Sequence, residues 1–247
     1  MKNSYYLGIF VLLFIASCHH SSNELQVNKK ALSTADVNSP KAIPDNSTNN
    51  SNINPVSNDD TQLVDIQTVN KDIVIDIRYA TTNNFLKQKV YPEARCVLRY
   101  GVAKKLSQIQ QDLSRKQLGL KVYDCYRPLS VQKLMWRVIP DERYVANPAQ
   151  GSRHNRGAAV DLTLIDNNGK ELEMPSKFDS FTPASHRNYN GGSAQARKNR
   201  QLLEDTMQKQ GFSGLSTEWW HFDASDWQNF PVMDVPFNDI PKVSNKI

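Results

Sequence analysis

The sequence is short of the residues from which most thiolate, phosphate and nucleotide sites are built. Only three of its 247 residues are cysteine, and no two form a CxxC motif, which argues against a zinc-thiolate site. The ten glycines include no phosphate-cradling loop and no GxGxxG fingerprint, so nucleotide chemistry has no footing. The zinc-binding helix motif HExxH is missing too, and there is no internal repeat. The one long apolar run, residues 5–16, is too short to span a bilayer comfortably. A net charge of +5 is carried by scattered Lys and Arg, a solvated surface and not a nucleic-acid patch.

The apolar run follows Lys2 and ends "LFIASC", the charge-then-apolar order of a secretory signal. Its end resembles a bacterial lipoprotein lipobox. Residues 1–18 are therefore expected to be a lipoprotein signal peptide, with Cys18 the lipidated first residue of the mature chain. A lipid anchor contributes about 0.8 kcal/mol per buried CH₂, so attachment needs no transmembrane helix. The expected location is the cell envelope, on a membrane facing the periplasm or the exterior. Residues 19–62 are rich in Ser and Asn and hold no aromatic residue, which predicts a disordered tether; the His19-His20 pair belongs to it. Residues 63–247 are long enough for one well-buried domain. Its two cysteines, Cys96 and Cys125, predict one disulfide in an oxidising compartment, the alternative being two buried thiols.

Within that domain, "TQLVDIQTVNKDIVIDIRYAT" reads as strand, turn and strand. Apolar residues at 97, 98, 102, 106, 109 and 113 mark a helical face, with Gly119 as the stop. "LGLKVYDCYRP" is a strand and "LSVQKLMWRVI" a helix opening after Pro128. "AAVDLTLID" is a strand whose "NNG" turn predicts a returning hairpin. "AQARKNRQLLEDTMQKQGF" is a second long helix ended by Gly211, and "EWWHFD" leads into a last strand. Helices flanking a sheet with hairpin connections predict an α+β domain with a mainly antiparallel central sheet.

Three histidines lie in the domain: His154, His186 and His221. His154 and Asp161 are seven residues apart, which would place them on opposite faces of a continuous strand. A turn at Arg156-Gly157 would break that parity. Asp161 alternates with Val160 and Leu162, and a carboxylate so placed needs a cation or several donors to offset its desolvation. Two histidines and one carboxylate with an open fourth position is how a catalytic zinc is held. Glu218, three residues before His221, is then placed to act as general base and proton donor. Separate hydrogen-bonded histidines and a turn-capping Asp161 are the alternative at this point.

Taken together, "SRHNRGAAVDLTL" and "EWWHF" resemble the SxHxxGxAxD and ExxH signatures of the zinc D-alanyl-D-alanine dipeptidases of the VanX type. These share a fold with other D,D-peptidases and with the hedgehog signalling domain. "DIRYATTNNF", "YDCYRP" and "FDSFTPASH" are similar to family blocks in the same order, so the resemblance covers nearly all of residues 63–230. It implies one zinc ion per chain on His154, Asp161 and His221, Glu218 as catalytic acid/base, and Arg127 stabilising the tetrahedral intermediate. It also implies Ser152 beside the substrate, Tyr79 and Asp179 around its ammonium, and a structural role for His186. "MPSKFD" departs from the family's glycine-bearing pattern at Pro175, near Asp179. The implied reaction is hydrolysis of D-Ala-D-Ala in the cell envelope, in peptidoglycan turnover or D-Ala recycling. Two rivals are a D,D- or L,D-carboxypeptidase acting on peptidoglycan stems and a non-catalytic metal-bearing envelope-binding module. The expected partner is a small dipeptide, with no nucleic acid, and with membrane contact only through the anchor at Cys18; the sequence sets no oligomeric state.

Overall fold

A computed structural model describes residues 58–242, which fall in one compact unit of the chain, residues 53–247. The signal segment 1–18 with Cys18 lies outside the described residues, as does the tether up to residue 57. The tether was expected to reach residue 62; of that span, residues 58–62 are described, and Asn58–Thr61 form a 3₁₀ turn. Two contacts fix this stretch: Asp60 pairs with Lys104 at 2.5 Å, and the Gln62 carbonyl accepts from the Tyr100 N–H at 2.8 Å.

Strand β1 (Leu63–Asp65) runs into a single helical turn, α1 (Ile66–Val69), because the Asp65 carboxylate accepts from the Gln67 N–H. That cap puts a helical turn where a simple turn between two strands was expected. β1 pairs instead with β3 (Val97–Arg99), antiparallel, while β2 (Val74–Ile75) lies parallel to β4 (Leu118–Asp124) in the main sheet. The alternation of "IVIDIRY" survives as burial: Ile73, Ile77 and Tyr79 are buried and Val74 is exposed.

Helix α2 (Tyr100–Ser114) buries Val102, Leu106, Ile109 and Leu113, one face at helical spacing. It starts after the strand residues 97–99, which the helical pattern had absorbed. Gln117, at φ 59°, ends it rather than Gly119. Gly119 is already in β4, where a side chain would press on Gln110 and Ile165, each 3.3 Å from its Cβ position. Helix α3 (Leu129–Val138) opens after Pro128. Strand β5 (Ala159–Asp166) turns at Gly169, but the return makes only one bridge, Ile165 with Glu171, before Pro175, which lacks an N–H for a ladder. Helix α4 (Ala194–Lys209) is capped by the Ser193 hydroxyl and followed by Gly211 at φ 77°. Strands β6 (Phe212–Gly214) and β7 (His221–Ala224) close the sheet.

The main sheet has the order β2-β4-β5-β7-β6, with every pair antiparallel except β2 with β4. α2 packs on β4, and α4 on β5 and β6. This is the α+β, mainly antiparallel arrangement expected. β5 lies at the centre and is buried along almost its whole length. Strand parity sends Val160, Leu162 and Leu164 to one face and Asp161 and Thr163 to the other.

Candidate metal centre

One rung across three strands founds the site. Asp161 on β5 stands directly opposite His221 on β7 and, across a register shift after Val122, opposite Asp124 on β4. The rung places ionisable groups side by side at the sheet end toward which the β6–β7 connection closes. His154 joins them from a different local structure, a 3₁₀ turn at His154–Arg156. Gly157 then takes φ 68° and lies against Leu63, whose Cδ2 would stand 2.9 Å from an added Cβ. This left-handed step breaks the strand parity and swings His154 over Asp161.

His154 Nε2, Asp161 Oδ1 and His221 Nδ1 converge: 3.1 Å between the two nitrogens, 3.4 and 3.0 Å from each to the carboxylate oxygen. They form the one such cluster found among the described residues, and all three residues are buried. The outer nitrogens are already engaged. His154 Nδ1 donates to the Cys125 carbonyl at 2.7 Å, and His221 Nε2 donates to Asp223 at 2.9 Å. In its neutral form each ring therefore turns a lone pair inward, the usual arrangement of metal-bound histidines. Two inward ring nitrogens and a carboxylate oxygen this close together need positive charge between them, either a proton or a metal ion. Burial by itself lowers the His221 pKa, but its hydrogen bonds to Asp161 and Asp223 raise it to about 10. Burial would raise Asp161, yet the two histidines hold its carboxyl well below the ordinary range. Both shifts express a demand for positive charge, which fits zinc.

Around this centre a cleft of about 120 Å³ is lined by Tyr79, Arg127, Ser152, Asp179 and Glu218 together with the three cluster residues. All the residues predicted for catalysis, substrate and metal thus face one space. Glu218 is 9% exposed, and burial, with Asp161 nearby, raises its pKa to about 7. The Arg127 guanidinium is held by Asp124 Oδ2 and Gln132 Oε1, both at 2.7 Å, over the Tyr79 ring at 5.4 Å; its Nε has no partner among the described residues. The Tyr79 hydroxyl donates to both Asp179 oxygens at 3.2 Å. Asp179 itself sits at φ 56°, a conformation Asp tolerates better than most residues. Burial first, then the charges of Asp161 and Glu218, push its carboxyl well above the ordinary range. The Ser152 hydroxyl accepts from the His154 N–H at 3.2 Å. His186 does not line this cavity; it ends a 3₁₀ turn and its carbonyl accepts from Arg200.

Cys96 and Cys125 form a disulfide that ties the start of β3 to the end of β4. Cys125 offers its carbonyl to His154, and Arg127 donates its N–H to the His154 carbonyl at 3.1 Å. The bridge therefore anchors the loop that orients a ligand and bears the arginine.

Sequence reasoning missed three supporting residues. Asp124, fully buried, accepts from Arg127, from the Tyr91 hydroxyl and from the Cys125 N–H. Gln132 bridges Arg127 to the Ala146 carbonyl. Asp223 orients His221. The last was legible: positions 221 and 223 share a face of any strand.

The family described as "D-ala-D-ala dipeptidase" matches residues 59–242. Three proteins named D-alanyl-D-alanine dipeptidase are similar to this chain. That of Escherichia coli K12 is 36% identical over 180 residues, covering 73% of this chain and 93% of the relative. That of Enterococcus faecium is 33% identical over 184 residues, 64% of this chain and 91% of the relative. That of Enterococcus faecalis is 33% identical over 185 residues, covering 66% and 90%.

Proposed function

The chain belongs to the D-ala-D-ala dipeptidase family, and from that premise we propose that it hydrolyses free D-Ala-D-Ala to two D-Ala. It is a zinc metallopeptidase, and His154, Asp161 and His221 are the residues that hold the ion. When bound, zinc supplies a Lewis acid and lowers the pKa of water from 15.7 to about 7. Glu218, near 7 itself, takes a proton from the attacking water and passes it to the leaving amine. Arg127 offers a fixed, always-protonated donor to the carbonyl oxygen as charge develops there, an effect typically worth about 2.7–4 kcal/mol.

Asp179 and Tyr79 receive the substrate's ammonium. A buried carboxyl that resists ionisation pairs best with a cation that the substrate brings, and only a true N-terminus brings one there. The Ser152 oxygen is already accepting from His154, which leaves its O–H to donate toward the substrate. A volume of about 120 Å³ is well below the roughly 300–1,000 Å³ of ordinary ligand pockets, in keeping with a dipeptide. The observation that carries this reading is the convergence of a three-ligand cluster, Glu218 and Arg127 on one cleft. The test is release of D-Ala from D-Ala-D-Ala, with and without a chelator, beside a stem pentapeptide. Chelator-sensitive cleavage of the dipeptide alone is expected. Cleavage of the pentapeptide in preference would favour a carboxypeptidase, and cleavage of neither a binding module.

The lipidated Cys18, the envelope location and a role in peptidoglycan turnover or D-Ala recycling are part of the same proposal. Their support is the Lys2, apolar-run and "LFIASC" pattern: an exported enzyme meets dipeptide released from the wall. Cys18→Ser is expected to move the protein from the membrane to the soluble fraction, and unchanged partitioning would refute the anchor.

A further inference from the structure

Glu218 and His221 lie on or at the end of the connection between β6 and β7, residues 215–220. Leu215, Ser216 and Thr217 open it, and within it the Glu218 N–H donates to the Leu215 carbonyl at 3.2 Å. The Leu215 N–H reaches the His221 carbonyl only at 3.3 Å. Strand register holds His221 opposite Asp161, and the Trp219 N–H, donating to the Ser185 carbonyl at 2.9 Å, and the Trp220 carbonyl, accepting from the Leu162 N–H at 3.1 Å, hold the far half of the connection; the half that carries Glu218 is tied to His221 only by the long contact from Leu215.

A guanidinium closes it instead. Arg187 Nε donates to the Leu215 carbonyl at 2.9 Å, and its NH2 group donates to the His221 carbonyl at 2.6 Å. One planar fork thus bridges the two ends of the connection. The Arg187 N–H also donates to the Ser216 carbonyl at 3.0 Å. The fork lies 4.3 Å over the Phe222 ring and pairs with Glu204 of α4 at 3.4 Å, so it is fixed from three sides and only 10% exposed. Its seat is made by a missing side chain: a Cβ on Gly214 would fall 2.0 Å from the Arg187 Cζ. Leu215 and His221 in turn line the catalytic cavity, whereas Arg187 does not.

We propose that Arg187 is a positioning residue, seated in the space that Gly214 leaves, which clamps the β6–β7 connection and so holds His221 against the metal and Glu218 against the substrate. A lysine cannot do this, since a point charge with a flexible stem does not present two donors in a fixed plane. The inference rests on the proposed roles of Glu218 and His221.

Two variants test it. R187A removes the clamp, and G214A keeps the arginine but expels its guanidinium. Each is expected to lower kcat for D-Ala-D-Ala by about 10–100-fold, with KM within about twofold, in protein carrying one zinc and melting well above the assay temperature. Zinc transfer to a chromogenic chelator should quicken by a similar factor. Added guanidinium should restore part of the kcat of R187A but not that of G214A, and R187A/G214A should be no worse than R187A. Unchanged kcat and zinc release in both folded variants would overturn the proposal, as would additive losses in the double variant. Zinc release is read without turnover, so if the wild type fails to cleave the dipeptide, the clamp is still tested independently of the proposed reaction.

Discussion

Asp124→Asn isolates what one buried carboxylate does for this site. Asp124 has no exposed surface and accepts at 2.7 Å from Arg127, at 2.9 Å from the Tyr91 hydroxyl and at 2.9 Å from the Cys125 N–H. The amide can retain one or two of these contacts, but it takes from a buried guanidinium the only carboxylate hydrogen-bonded to it among the described residues. Breaking one side of a buried ion pair costs about 3–5 kcal/mol. For a domain of this size each kcal/mol shifts Tm by roughly 2–4 °C, so a fall of about 6–20 °C is expected by calorimetry. Because the guanidinium is then free to leave its place over Tyr79, kcat should also fall by about 10²–10³ at a temperature where the variant is folded. The double variant Asp124→Asn with Arg127→Gln removes the stranded charge and should regain much of the stability but none of the activity. A Tm within 2 °C of wild type for Asp124→Asn alone would refute the reasoning, since it would mean that the pair adds nothing beyond what water supplies.

Glu218→Ala should abolish turnover while one zinc per chain remains by metal analysis; retained turnover would remove Glu218 from the reaction. Burial raises Glu218 to about 7, and the base form exists above that value, so kcat/KM should rise with pH along a limb centred at or below about 7, lower as the bound dication draws the proton off. A profile flat from pH 5 to 8 would contradict this assignment. Reduction of Cys96–Cys125, which closes a separation of 29 residues, should lower stability by about 3–4 kcal/mol on the chain-entropy account. It should also speed zinc loss, because the Cys125 carbonyl orients His154; titration with dithiothreitol followed by calorimetry and chelator transfer reads both.

How much was legible in the sequence differs from residue to residue. Asp161 was suspect because a carboxylate among apolar strand residues requires a cation, and that argument needs no coordinates. Gly157 was suspect because only a left-handed or bent step brings His154 and Asp161 to one side, and it does take φ 68°. The α+β class followed from periodicity. The pairing of strands did not, since hydrophobic alternation in residues 61–81 says which side chains are buried and nothing about which backbone they meet. The Asp65 cap sent β1 and β2 to different sheets. The end of α2 was misplaced because Gln117 adopts the conformation expected of a glycine, while Gly119 serves close packing.

The sequence by itself determined the chemical inventory of this protein: two scarce histidines, a misplaced aspartate, a glutamate and an arginine in recognisable local settings. Tertiary structure alone decided their mutual geometry. Asp124, Asp161 and His221 lie 37 and 60 residues apart, and only strand register sets them on one rung. The supports are equally non-local: Gln132 under Arg127, the Cys125 carbonyl behind His154, Arg187 in the place of a side chain that Gly214 lacks. Local preferences act over a few residues, whereas orientation of a ligand to within tenths of an ångström is set by whatever the fold packs behind it.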